Sequence, residues 1–376
     1  MYITSKAKVI FIILIAAMSY TASLSAEQLH FDRRVGTTEI EYDYTFTSPS
    51  GRIHKISFKL DRNLSEASKV LFNKTGKHEL DQRTKQVAKD LFHSLQAEYI
   101  ERARNKFDSF INEQTRVLPA GISIQNLNKG ENIRASSDGS MPRAQAESII
   151  DDFLQAMHIK WQELNQEYLE DFEVEVAKRT QKYYIDSYKQ NYYIASFSTP
   201  ANKSFKLRID FDQVAQLHAN ALKPVADAIA ANTRGLTRRE VLNYTSYFIQ
   251  SIPYDTLNSR DAHDETGFVA PLTLFDINKG DCDTKSTALA AILSNLYPEL
   301  DIKMVLIPNH AFLAVYVEGQ AEDTTILYHD KEYAVLEAAG PALTPVGESY
   351  ESSFEHMQAN PGKIGRIIPL LQGTPG

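Results

Sequence analysis

Lys279-Gly280-Asp281-Cys282-Asp283-Thr284-Lys285-Ser286 stands directly ahead of an apolar periodic run and contains the only cysteine of the 376-residue chain. A solitary thiol cannot be half of an internal disulfide, and one sulfur cannot build a thiolate metal cage, so its uses reduce to packing filler or nucleophile. Leu289, Ile292, Leu293 and Leu296 recur at helical spacing after it. That places Cys282 in the first turn of an amphipathic helix, where amide dipoles favour a thiolate. Downstream come His310, in Pro308-Asn309-His310-Ala311-Phe312, and Glu337, in Tyr333-Ala334-Val335-Leu336-Glu337-Ala338. The order thiol, imidazole, acid is what thiol acyl transfer needs, because the thiol requires a base and the base an orienting partner.

Upstream lie Phe248-Ile249-Gln250-Ser251-Ile252-Pro253-Tyr254 and Pro271-Leu272-Thr273-Leu274. With the cysteine string, these segments resemble the bacterial transglutaminase-like cysteine peptidases of the transglutaminase superfamily, which are papain-like in their core. The resemblance spans residues 236–350, about a third of the chain. It implies an α+β fold in which a helix bearing the nucleophile packs on an antiparallel sheet bearing the base and the acid, and it implies a protein or peptide substrate.

In that scheme His310 takes the Cys282 proton and returns one to the leaving amine, while Glu337 orients the imidazole. Asp330, beside His329 in an apparent turn, is the rival third residue. Glu337 ranks above it because a strand position holds geometry better and because the family places its acid at a similar Leu-Glu strand end. The backbone N–H of Cys282 is the first oxyanion donor, with Gln250 or Tyr254 as side-chain candidates. Asp281, Asp283 and Lys285 are supporting residues. Negative charge beside a thiol opposes ionisation, so the two aspartates must point away, cap the helix or hold a cation. Capping is the reading adopted, because a calcium site needs six or more oxygens. With no Gly-rich phosphate loop, no zinc spacing and no long repeat, neither cofactor nor metal is expected.

Lys6 and Lys8 precede an apolar run from Val9 to Met18, followed by the small residues Ser23, Ser25 and Ala26. This reads as a secretory signal peptide over residues 1–26 and predicts a periplasmic or secreted protein. A membrane enters only if that segment stays uncleaved. Removing two lysines and no acids takes the formal charge from −8 to −10, which argues against nucleic acid as a partner. A composition that is 43% hydrophobic and 23% charged is that of a globular protein.

Residues 27–235 read as an N-terminal accessory region, and residues 236–376 as the catalytic domain with a C-terminal tail. Glu39–Thr47 and Ile53–Leu60 alternate apolar and polar around Ser48-Pro49-Ser50-Gly51, a hairpin signal. Val87, Leu91, Leu95, Tyr99, Ala103 and Phe107 mark one face of a helix over 81–115. Ile149, Phe153, Met157, Trp161, Leu164 and Tyr168 mark a second long helix, and a loop over 118–141 lies between them. The two helices form a helical hairpin that offers a surface to a protein partner. A second β-hairpin is expected over 192–211, turning at Thr199-Pro200-Ala201-Asn202. Thr237 and Glu240 form a capping box that opens the helix carrying Phe248 and mark the domain boundary. Strands are expected over 304–307, 312–317, 325–328 and 333–337. A second function class stays open: a transglutaminase-like binding or scaffold protein without catalysis. Within the first class, hydrolysis, deamidation and amine transfer share one thioester.

Overall fold

The structure, a computed structural model, describes residues 27–130, 132–197, 205–256, 267–360 and 363–371. The signal segment and the 199–202 turn lie outside these residues. Among them, no helix is long and apolar enough to cross a membrane.

The chain opens with an antiparallel meander of β1 (Gln28–Val35), β2 (Glu39–Thr47) and β3 (Ile53–Asp61). The β2–β3 register, Glu39 opposite Asp61 and Thr47 opposite Ile53, follows the alternation in sequence, which buries Ile40, Tyr42, Tyr44, Phe46, Ile56, Phe58 and Leu60. Helix α1 (Arg62–Ser68) leads into α2 (Lys74–Arg116), β4 (Ile122–Leu127), β5 (Asn132–Ser137) and α3 (Arg143–Lys189). Helices α2 and α3 run antiparallel: Phe107 meets Trp161, Tyr99 meets Tyr168, and Phe92 meets Phe172. At about 1.5 Å per residue they form an arm roughly 65 Å long. The β4–β5 hairpin, in what the sequence suggested was a loop, folds back along the distal part of the arm, where Ile124 and Ile133 pack with Phe107 and Ile111 and Asn126 donates to Asp108 Oδ1 at 2.7 Å. At the base of the arm, Tyr188 donates to Asp81 Oδ1 at 2.6 Å. Val87, expected on the packed face, is 38% exposed, while Thr84 and Ala88 are buried instead. A straight 3.6-residue helix drifts away from a fixed spacing over this length.

Next come β6 (Tyr193–Phe197), β7 (Phe205–Ile209), α4 (Phe211–Ala219), α5 (Lys223–Asn232), α6 (Arg238–Ser251), α7 (Pro271–Ile277) and α8 (Cys282–Leu296). The second hairpin ends sooner than expected, because Asp210 accepts the Gln213 N–H at 3.2 Å and caps α4. The chain closes with β8 (Ile302–Ile307), β9 (His310–Val315), β10 (Thr325–Tyr328), β11 (Lys331–Leu336), α9 (Glu351–Ala359) and β12 (Arg366–Leu370). These last strands form one antiparallel sheet in the order β10-β11-β9-β8-β12. Alternation along β9 sends Ala311, Leu313 and Val315 into the main core and Phe312 and Ala314 into the second cluster, which also holds Met357 of α9. The fold is therefore α+β.

The capping box at Thr237 and Glu240 is present, yet packing does not break there. One core runs from Ile40 through Phe248 and Phe275 to Leu370. Tyr44 meets Phe248 edge-on at 5.1 Å between ring centroids, and Phe58 meets Phe275 at 5.4 Å. The buried carboxylate of Asp276 on α7 also accepts from Arg33 Nε on β1 at 2.7 Å and pairs with Lys69 beyond α1 at 2.8 Å. The N-terminal meander thus shares its core with α6 and α7, and the arm is the part that stands out from it.

Candidate active site

The start of α8 is built by its own side chains. Asp281 is its N-cap and accepts the Thr284 N–H at 3.0 Å; Asp283 Oδ1 takes the same N–H at 3.1 Å. Burial pushes both carboxyls upward; at Asp281 the charge of Asp283 and the hydrogen bond between the two add to it, whereas at Asp283 the same bond works the other way, so that Asp281 is the member that holds a proton. Capping therefore accounts for both aspartates. Among the described residues, no group of three or more His, Cys, Asp or Glu side chains is placed to hold a metal.

The consequence for Cys282 reverses the expectation of a helix-stabilised thiolate. Burial pushes its thiol up to about 12, the charges of Asp283 and then Asp281 push the same way, and the N–H groups of Ala311 and Asp283 only partly offset them. Dipole stabilisation of this kind is worth about 0.3–2 kcal/mol, too little to overcome desolvation and two neighbouring acids.

Strand order and register bring His310 and Glu337 together. His310 opens β9 and Glu337 follows the last residue of β11; because β9 and β11 are antiparallel neighbours, with Leu336 opposite Leu313, the two meet at one end of the sheet. His310 Nε2 and Glu337 Oε2 are 2.8 Å apart, and Glu337 is fully buried. That bond occupies Nε2 and leaves Nδ1 to serve another partner. No hydrogen bond joins the imidazole to the thiol; what relates them is the Ala311 N–H, which follows His310 in sequence and is turned to the Cys282 sulfur. Asp330 sits in the tight β10–β11 turn, at φ +61°, at the opposite end of β11. About six residues of strand, roughly 20 Å, separate it from Glu337.

The two side-chain oxyanion candidates part company. Tyr254 is tied beside the cysteine by backbone bonds, Gly280 N–H to Pro253 O at 3.2 Å and Asp255 N–H to Gly280 O at 3.1 Å. Its hydroxyl lies at the Cys282 sulfur, and burial followed by the nearby negative charges lifts it to about 12, so it stays a donor at neutral pH. Gln250 is not available. Its amide donates to Glu337 O and to Thr344 O, both at 2.9 Å, and accepts from Thr344 N–H at 3.1 Å, which exhausts its two donors on backbone. It braces the chain around Glu337 from within the core.

Lys285, also fully buried, donates to Ile252 O and Ala339 O. It ties α8 to the end of α6 and to the segment after β11. Burial lowers its pKa to about 7, against the pull of Asp281 and Cys282. Sequence reasoning missed Ser349 and Tyr350. Their Oγ and N–H groups meet Glu337 Oε1 at 3.5 and 3.4 Å, and nothing in their spacing from His310 announces it. No family model, curated protein or solved structure matches this chain.

Proposed function

We propose that this protein is a thiol-dependent enzyme attacking amide carbonyls through Cys282, His310 and Glu337, with a transglutaminase-like core and a protein or peptide substrate. The observation that carries this reading is the His310–Glu337 pair, its carboxylate fully buried and its Nε2 bond leaving Nδ1 open, beside a helix that starts with the chain's single thiol. The thiol is protonated at rest, so the proton leaves Sγ for His310 Nδ1 as the sulfur attacks, rather than from a standing ion pair. The carbonyl oxygen gains the negative charge and is met by the Cys282 N–H and the Tyr254 hydroxyl. The imidazolium then protonates the leaving amine, giving a thioester that water or a second amine resolves. Glu337 keeps the ring oriented and stabilises its charged form. We further propose that residues 1–26 direct export, so that the reaction takes place in the periplasm or outside the cell.

One observation favours a second reading, a non-catalytic scaffold with this fold: a thiol pushed up to about 12 is a poor nucleophile unless a base acts on it. Alkylation of Cys282 by iodoacetamide separates the two. In the enzyme, His310→Ala slows labelling at pH 7 by about tenfold or more, and Cys282→Ala abolishes both labelling and amide cleavage while the fold survives. Equal rates in wild type and His310→Ala would leave the scaffold.

A further inference from the structure

We propose that Tyr350 is a positioning residue of this site, holding the imidazole and the carboxylate that orients it with different parts of one residue. The inference rests on the active-site reading above.

The starting point is the second oxygen of Glu337. Oε2 is taken by His310, and because the side chain is fully buried, Oε1 must find donors within the protein or bear the cost of desolvation. The donors that reach it are the Tyr350 N–H at 3.4 Å and Ser349 Oγ at 3.5 Å. The Tyr350 side chain then turns back over the base. Its ring centroid lies 5.7 Å from that of His310, tilted at 51°, and Phe312 contributes a second ring, also at 5.7 Å. The hydroxyl is anchored in turn, accepting the Gly340 N–H at 2.8 Å and donating to Ala342 O at 3.4 Å. Gly340 lies three residues beyond Glu337 and is held against α6. It has φ +68°, and a Cβ there would come within 2.2 Å of Gln250 O, so only glycine allows this approach. Carboxylate, imidazole, tyrosine ring and the backbone after β11 form a closed circuit.

Rotation about the last side-chain torsion of a histidine is soft. One hydrogen bond at Nε2 fixes where the ring is tethered, and rings packed against it limit the tilt that aims Nδ1. Without the Tyr350 ring the Glu337 bond can persist while Nδ1 swings off line, and such misplacement costs rate rather than fold. The hydroxyl steadies the ring, so its removal alone has the smaller effect.

The test is the rate of Cys282 alkylation by iodoacetamide from pH 5.5 to 9.5 in the full chain. Wild type, Tyr350→Phe, Tyr350→Leu, Tyr350→Ala, His310→Ala and the Tyr350→Ala/His310→Ala double variant are compared, with circular dichroism reporting the fold. Tyr350→Phe should stay within about threefold of wild type. Tyr350→Leu and Tyr350→Ala should fall about tenfold at pH 7, with a pH profile approaching that of His310→Ala, and the double variant should be no slower than His310→Ala alone. If Tyr350→Ala does not fold, Tyr350→Leu decides. A folded Leu or Ala variant with the wild-type profile, while His310→Ala is slow, overturns the positioning role and leaves the active-site reading standing. So does a Phe variant as damaged as the Ala variant, or a double variant slower by the product of the two losses. Equal rates in wild type and His310→Ala overturn the site reading and the positioning role together.

Discussion

The α2–α3 arm and the helix α8 are held by different physics. Along the 47 residues of α3 the buried positions are Ala146, Phe153, Met157, Leu164, Phe172 and Tyr188. Along the 15 residues of α8 every position from Thr284 to Leu293 is buried. The arm is two helices covering one stripe of each other, stabilised turn by turn and tied to the body at its base. Helix α8 is enclosed between the sheet, through β9, and the α4–α7 group, so each of its side chains answers to several elements at once. The arm can vary locally. Helix α8 cannot, and the candidate site at its start inherits that rigidity.

Truncation of Leu289, fully buried in α8, should therefore have the largest effect. Leu289→Ala is expected to cost about 3–4 kcal/mol, the transfer free energy of the lost methyl groups plus the cavity left behind. Chemical denaturation measures it. Leu164→Ala in the arm, 2% exposed, should cost less, about 2 kcal/mol, because two helices can close over a gap more readily than an enclosed core. Equal losses would mean that the arm is as constrained as the body.

Lys285 sharpens the contrast through pH. Lys285→Met should cost about 1–3 kcal/mol by leaving Ile252 O and Ala339 O without a donor. The folded pKa of about 7 lies below the ordinary 10.5, so between those values the unfolded chain binds the extra proton and wild-type stability rises with pH. The handicap of holding a charged amine in the core is complete below about pH 7 and disappears near 10.5. The measured penalty for Lys285→Met should accordingly grow from pH 7 to pH 10, and a penalty that stays flat or shrinks would show that the amine is not desolvated.

Asp283→Asn should speed Cys282 alkylation about threefold at pH 7–8, through loss of the charge that most opposes thiol ionisation. The gain is modest because the buried partner Asp281 sheds its proton more readily once Asp283 is neutral. A slower rate would mean that Asp283 supports the thiol by a route other than charge.

The same contrast explains what could be read from sequence. The arm helices, the β2–β3 hairpin and α8 follow from periodicity, a property of neighbours along one chain. The pairing of His310 with Glu337 was legible because each opens or follows a regular element, and the preference for Glu337 over Asp330 agrees with the register that puts Asp330 at the far end of β11. Gln250 misled, because whether a glutamine has a free donor depends on the Glu337 and Thr344 carbonyls, nearly a hundred residues away. The thiolate expectation missed because helix position is visible in sequence and depth of burial is not. β12 was missed for a related reason: Pro369 argues against a strand in general, yet it is tolerated on the outer strand of a sheet, where a missing N–H breaks no ladder. β1 shows no clean alternation to read.

The smallest effect should come from Leu169→Ala on the arm. The substitution is chemically that of Leu289→Ala, but Leu169 is 51% exposed. Little apolar surface is returned to water there, no enclosed cavity forms, and alanine is the better helix former by about 0.2 kcal/mol, so the net change should stay within about 0.5 kcal/mol. Denaturation at two protein concentrations checks this and a further point. The arm also exposes Leu154, Ile159 and Val174 along the same helix. If Leu169→Ala costs more than about 1 kcal/mol, or if its cost depends on concentration, then another surface covers this helix in solution, and the arm is stabilised by association as well as by its own stripe. A small, concentration-independent change would leave the difference between arm and body as one of burial alone.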